Sequence, residues 1–294
     1  MTSSSTPRRN ITIGVLALQG AFSEHVQLLR QAISKLKARN INDSESYQWE
    51  CIEVRTPAEL ARCDALVLPG GESTTMSLVA QRSGMLEPLR EFVKAQRNPV
   101  WGTCAGLILL AESANRTKKG GQELIGGLDV RVARNHFGRQ TESFTADLNL
   151  PFLRDTQGLT ETEASTAAQP FRSVFIRAPV VEKVLSYKEG EQADEAAKEE
   201  TIVAPSKSPQ DEMAKREVKE EVEILARLPP RARTIGSEET AKEKGEDGDI
   251  IAVRQGNVFG TSFHPELTGD ARIHVWWLER VIEAIERRAN KSVS

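Results

Sequence analysis

The sequence predicts an α/β protein, a three-layer fold with a mostly parallel central sheet flanked by helices. Three observations lead there. From Ile11 to Ser113, apolar strand-like runs alternate with amphipathic helical stretches. The runs ITIGVLAL, DALVLPGG and PVWGTC are apolar throughout rather than at alternate positions, as in parallel strands covered on both faces. The chain has 294 residues, 39% hydrophobic and 28% charged, enough to bury a substantial core.

Residues 1–10, MTSSSTPRRN, are expected to be a disordered tail. The run that follows contains Gln19 and passes at Gly20 into a helix, so it reads as a first strand rather than the apolar core of a signal peptide. The helix spans Ser23 to Lys37, with Val26, Leu29, Ile33 and Leu36 on one face. A lesser insertion is expected over 39–48. WECIEVRT is the second strand, and DALVLPGG the third, ending at Pro69-Gly70-Gly71. TTMSLVAQRSGMLEPLREFVKAQ is helical with a break near Gly84, PVWGTC is a buried strand, and AGLILLAES is the helix after it. From Gly126 the strand-like pieces are GLDVRVAR, SFTADLNL, SVFIRAP and EVEILARL. IIAVRQGNVFGTSFHPEL reads as a hairpin turning at Gln255-Gly256-Asn257. A closing helix sets Ile273, Trp276, Trp277, Val281 and Ile285 along one side.

Two charged stretches, about 188–221 and 240–249, interrupt a single domain expected over 11–294. The first holds 11 acidic and 6 basic residues among 34 and no aromatic, so both read as solvated insertions. A net charge of −3 without a basic stripe argues against nucleic acid. The three cysteines show neither metal-ligand spacing nor an even count, which argues for a reducing compartment and against a disulfide framework or structural zinc. No apolar run approaches the roughly 18 residues of a membrane span. A cytoplasmic protein without metal or cofactor is expected.

Gly102-Thr103-Cys104-Ala105-Gly106 has the G-x-nucleophile-x-G spacing, with cysteine where hydrolases place serine. A tight strand-to-helix turn presents such a side chain above the sheet edge, and only small neighbours fit the crowded backbone. The helix beneath favours thiolate over thiol and makes the Ala105 N–H a natural oxyanion donor. A cysteine nucleophile needs a base and an orienting group. Among the four histidines, His25 and His274 fall on predicted helices and read as surface or packing residues. His136, in RNHFGR, is a loop candidate for substrate or partner contact. His264 follows a strand, with Glu266 two residues on and Pro265 stiffening the link, so Cys104, His264 and Glu266 read as a triad. The glycines of LPGGEST permit close backbone approach, and the Gly71 N–H is the candidate second oxyanion donor.

Cys104 in this turn with His-Pro-Glu near the C-terminus resembles the class I glutamine amidotransferases. The usual G-x-C-x-G-x-Q of that class ends here at Ile108 instead. GVLALQGAFSEH, LPGGESTTM, EPLREF, GTCAGLILLA, ARNHFGRQTESF, FIRAP and GTSFHPELT, in that order, resemble one branch, the glutaminase subunits of pyridoxal 5′-phosphate synthase. The match leaves the charged insertions uncovered and points to a eukaryotic, fungal-type member.

The resemblance implies hydrolysis of L-glutamine to L-glutamate and ammonia, which passes to a separate (β/α)8 synthase subunit in a twelve-plus-twelve complex. It implies that Gly71, Glu72, Ser73, Arg134, Ile176 and Arg177 line the glutamine site. Gln19 and Gly20 are candidates for the synthase interface. Activity is expected to depend on docking, through a Gly70-Gly71 peptide whose N–H turns inward only in the complex. The competing readings are a glutaminase for another acceptor, a cysteine peptidase or DJ-1-like protein on a related turn, and an inactive synthase-binding scaffold.

Overall fold

The chain begins with β1 (Arg9–Leu16), α1 (Phe22–Ala38), β2 (Tyr47–Val54), α2 (Pro57–Leu60) and β3 (Ala65–Leu68). It continues through α3 (Ser73–Arg82), α4 (Leu86–Arg90), β4 (Val100–Thr103), α5 (Ala105–Leu110) and β5 (Ala111–Asn115). Then come β6 (Leu128–Ala133), β7 (Ser143–Leu148), α6 (Glu161–Ala167), β8 (Phe171–Ile176), β9 (Val180–Val184) and α7 (Ala193–Ala196). The last elements are β10 (Thr201–Val203), α8 (Glu212–Glu217), β11 (Glu223–Leu228), β12 (Asp249–Gln255), β13 (Val258–Thr261) and α9 (Arg272–Lys291). The structure, a computed structural model, describes residues 9–39, 47–116, 122–134, 143–155, 161–229 and 248–291.

Successive side chains of a strand point to opposite faces, and here both faces are covered. Ile11, Ile13 and Val15 of β1 enter one apolar core and Leu16 the other. In β3, Ala65 and Val67 join the first core while Leu66 and Leu68 join the second. That is why these runs carry no polar alternation. The first core is closed by α1 and α9, which pack together. Its buried residues include Leu29 and Ile33 from α1, and Ile273, Trp276, Trp277, Val281 and Ile285 from α9. The second core lies under α3, α4 and α5, with Met76, Leu89 and Leu107 among its residues. The sheet order is β10-β5-β6-β9-β12-β13-β4-β3-β1-β2, with β11 also paired to β12. Strands β2, β1, β3, β4 and β13 are mutually parallel. Beyond β13 the pairings are antiparallel except β5 with β6. β7 and β8 form a separate two-stranded sheet.

Several boundaries differ from the sequence expectation. The chain enters β1 at Arg9, so Arg9 and Asn10 already pair with Tyr47 and Gln48 of β2, residues expected in a tail and an insertion. The helix expected through Ser113 stops at Leu110, and Ala111–Asn115 is a strand beside β6. Glu112 explains the switch: its carboxylate is drawn inside, 2.8 Å from Lys94 Nζ and 2.7 Å from the Gly127 N–H. The break near Gly84 is present, with φ +72° between α3 and α4.

Over 188–221, solvated loops give way to packed structure. β10 extends the sheet at its edge, and Ala204 and Ala214 are buried. Most of its charges stay exposed, and two are buried and paired. Glu195 meets Ser113 Oγ at 3.0 Å, and both oxygens of Glu217 accept from Asn257 Nδ2 at 2.8 Å. Of the expected insertion over 240–249, residues 240–247 lie outside the described residues, as do 1–8 of the expected tail and 40–46 of the lesser insertion.

Candidate active site

Cys104 lies between β4 and α5 with φ +48° and ψ −102°. A side-chain-bearing residue held there costs of order 1–3 kcal/mol, a kind of strain that concentrates at functional sites. The flanking glycines are sterically required. A Cβ on Gly102 would sit 2.5 Å from the Gly106 carbonyl carbon, and one on Gly106 would sit 2.1 Å from the Leu68 oxygen. The Cys104 N–H donates to Thr261 O of β13 at 2.8 Å. Its Sγ lies 3.9 Å from the Ile176 carbonyl oxygen, and the residue is buried.

β13 runs parallel to β4, with Thr261 opposite Thr103, so residues leaving the two strands emerge side by side. His264 follows β13, and its N–H donates to Val174 O of β8 at 2.8 Å. Pro265 opens a single tight turn, Pro265–Leu267, that brings Glu266 back toward the ring. His264 Nδ1 is 2.7 Å from Glu266 Oε1, which leaves Nε2 for the thiol. Burial lowers the His264 pKa, but hydrogen bonds and charge from Cys104 and Glu266 outweigh it and raise it to about 10. Burial pushes the Glu266 carboxyl up, but His25 and His264 pull it well below the usual carboxylate range. The base is therefore poised as an imidazolium beside an ionised orienting group.

Gly70 roofs the imidazole: a Cβ there would lie 2.2 Å from His264 Cε1. Its carbonyl accepts from the Ala21 N–H at 3.1 Å. Gln19 Oε1 accepts from the Glu72 N–H at 2.7 Å, and a Cβ on Gly20, φ +97°, would meet the Gly70 oxygen at 1.9 Å. Gln19 and Gly20 thus pack directly on the loop that carries Gly71. Ala105, the other candidate oxyanion donor, is the first residue of α5.

Glu72 caps α3, its carboxylate accepting from the N–H groups of Thr74 at 3.1 Å and Thr75 at 2.7 Å. Ser73 Oγ lies 3.4 Å from Gln122 Oε1, and Arg134 Nη1 donates to that same oxygen. Burial lowers the Arg134 pKa to about 10 against the opposing charge of Glu72. Gln122, absent from the sequence candidates, therefore joins Ser73 to Arg134. A lone amide in the glycine-rich GGQELIGG was the available signal. Arg177, next to Ile176, also has a positive φ of 45°.

His25 and His274 are not surface residues, nor is their packing ordinary. Both are fully buried. His25 Nε2 lies 3.3 Å from Glu266 Oε2 and 3.2 Å from Thr103 Oγ1. His25 Nδ1 is 3.0 Å from His274 Nε2. No periodicity could reveal this contact, because the two histidines are 249 residues apart. His136 lies outside the described residues. Among the described residues, no group of three or more His, Cys, Asp or Glu could hold a metal ion. Nor is any helix among them long and apolar enough to cross a membrane.

The profile of the SNO glutamine amidotransferase family matches residues 15–215 and 206–283. A probable pyridoxal 5′-phosphate synthase subunit PDX2 of Arabidopsis thaliana is 39% identical over 290 residues, covering 97% of this chain and 91% of its own. A pyridoxal 5′-phosphate synthase subunit PdxT of Methanosarcina mazei is 36% identical, over 92% of this chain and 98% of its own. A solved glutamine amidotransferase superimposes with a TM-score of 0.56 at 33% identity, over 92% of this chain and 98% of that one. The fold, the Cys104 turn and a family match along most of its length lead to one conclusion: the chain belongs to the SNO glutamine amidotransferase family.

Proposed function

We propose that this chain is the glutaminase subunit of a pyridoxal 5′-phosphate synthase, hydrolysing L-glutamine to L-glutamate and ammonia and passing the ammonia to a separate synthase subunit. The observation that carries the reading is the strained Cys104 set at the end of the central strand β4 beside the 2.7 Å His264–Glu266 pair. The Cys104 thiolate attacks the side-chain carboxamide carbon, and the N–H groups of Ala105 and Gly71 receive the oxyanion. His264 protonates the departing nitrogen, the C–N bond breaks to release ammonia, and the glutamyl thioester remains on Cys104. His264 then takes a proton from water, whose oxygen attacks the thioester to release glutamate and restore the thiol. Throughout, Glu266 holds the imidazole by its Nδ1 and keeps Nε2 turned toward the thiol. Gly71, Glu72, Ser73, Arg134, Ile176 and Arg177 line the glutamine site, where an arginine suits the substrate carboxylate.

Docking of the synthase at Gln19 and Gly20 acts on the Gly70-Gly71 peptide, which the Ala21 N–H grips through the Gly70 carbonyl. The assembly holds twelve copies of each subunit, a stoichiometry open to light scattering. The compartment is the cytoplasm, in keeping with free Cys51 and Cys63, whose thiols burial pushes up to about 11 and about 12.

Ammonia release from glutamine, measured with and without the synthase subunit, tests the proposal. Release stimulated by the synthase and abolished by Cys104→Ala is expected. Release that the synthase leaves unchanged removes the docking step, and none in either condition overturns the glutaminase assignment.

A further inference from the structure

We propose that His25, held by His274, is a positioning residue for hydrolysis: it offers its Nε2 proton to the second carboxylate oxygen of Glu266 and so keeps that carboxylate turned toward His264. The inference rests on the glutaminase reading and adds two residues from the helical layer behind the sheet.

The Glu266 side chain is wholly buried. Its Oε1 is taken by His264 Nδ1 at 2.7 Å. Oε2 has no aligned hydrogen bond among the described residues, and the polar group facing it is His25 Nε2 at 3.3 Å. The His25 N–H is shared with Thr103 Oγ1 at 3.2 Å. A buried carboxylate oxygen without a donor is costly, so this contact is what compensates Oε2.

The far end of the relay fixes which nitrogen carries the proton. His274 Nδ1 has no partner among the described residues, while its Nε2 is 3.0 Å from His25 Nδ1. Burial holds the His274 pKa well below the ordinary histidine value against the pull of Glu266. It therefore carries one proton. A buried orphan N–H costs more than an orphan acceptor, which assigns that proton to Nε2, where it is donated to His25 Nδ1. His25 Nδ1 is then an acceptor, and its own proton is placed on Nε2, toward Glu266. Trp101 lies edge-on to both imidazoles, with ring centroids 5.4 Å and 4.8 Å away, and fixes their planes. Two imidazoles sunk in an apolar layer cost desolvation, and here they line up behind the one carboxylate that orients the base.

Glutamine hydrolysis by the full chain with its synthase subunit, measured from about pH 6 to about pH 11, tests the proposal with His25→Leu, His25→Gln and His274→Leu. The ionisable groups facing Glu266 are His264 and His25, those facing His25 are Glu266 and His274, and Cys104 faces His264. His25→Leu is expected to lower kcat about 10- to 100-fold, the size of one charge-assisted hydrogen bond, with KM within about twofold. It should also move the alkaline limb of kcat/KM down by about one pH unit, because a carboxylate turned away from His264 holds the imidazolium less firmly. His25→Gln, which keeps an N–H donor, should recover kcat to within about threefold of wild type.

His274→Leu should move the alkaline limb in the same direction by about half a unit. Wild-type kcat with an unmoved alkaline limb in folded His25→Leu overturns the proposal, as does a His25→Gln enzyme as impaired as the leucine variant. Where His25→Leu fails to fold, His274→Leu decides, and an unmoved limb there is equally fatal. The His264 ring titration, followed by NMR, should fall below its wild-type value in His25→Leu without any turnover. A wild type that releases no ammonia therefore sinks the glutaminase reading, while the NMR result still judges the relay.

Discussion

The two ends of the parallel strands treat buried charge in opposite ways. At the end where β4 and β13 begin, several buried polar side chains bond more than one partner. Arg97 donates to the carbonyls of Gly127 at 2.8 Å and Gln255 at 3.0 Å. Lys94 reaches Glu112 and the Pro205 carbonyl, and the Gln255 amide closes on Asp129 from both sides. At the end where those strands finish, the contacts run in single file from Cys104 through His264, Glu266 and His25 to His274. There they stop, at a nitrogen with no partner among the described residues. A cavity of about 310 Å³, lined by residues including Lys94, Arg97, Asp129 and Lys219, opens on the first end, not at Cys104. Over-bonded charge ties loops to the sheet, whereas a linear chain with one strained member has a direction and can move a proton. Cavity size alone would have pointed to the wrong end.

The contrast breaks most visibly at Cys104. Cys104→Gly should reduce ammonia release at least about 1,000-fold. Urea unfolding should show its stability unchanged or raised by about 1 kcal/mol, because glycine accepts the +48° φ without strain. Arg97→Met should do the reverse. It strands two carbonyls and removes a buried cation that offsets Glu217 and Asp129, for a loss of about 3–5 kcal/mol in urea. Its kcat per folded molecule should stay within about twofold.

Alkaline pH sharpens the comparison. His264 holds its proton up to about 10 when folded, against an ordinary value of 6.5. Its contribution to stability is therefore complete below pH 6.5 and lost as pH rises toward about 10. Wild type should lose more stability over that interval than His264→Gln. Glu266 and His274 act in the opposite window, their lowered values making them destabilising on acidification. The smallest effect is expected at Lys207, whose exposed pairing with Glu87 at 3.1 Å joins the charged stretch to α4. Lys207→Ala should cost less than about 1 kcal/mol, since burial of Ala204 and Ala214 holds that stretch.

Legibility followed the range of the interaction. The central strands showed in the sequence because burial on both faces leaves an unbroken apolar run. The Cys104 turn showed because its crowding admits only glycine at 102 and 106. β9 and β10 did not, being short and charged or held at a sheet edge, and the end of α5 did not because a distant lysine claims Glu112. His25 and His274 were hidden for the same reason, since a histidine on an amphipathic helix looks alike whether it faces solvent or a carboxylate. Gln122 came from a stretch whose glycines suggested only a loop.

The hydrogen bond from the Cys104 amide to Thr261 has a mechanical consequence. The nucleophile hangs from the β4–β13 ladder and the base leaves β13 three residues on, tied by its own N–H to Val174, so their spacing is inherited from backbone hydrogen bonds. Heat cannot drift them apart by degrees, because separating them means parting two central strands. Inactivation and melting are thereby bound into a single transition.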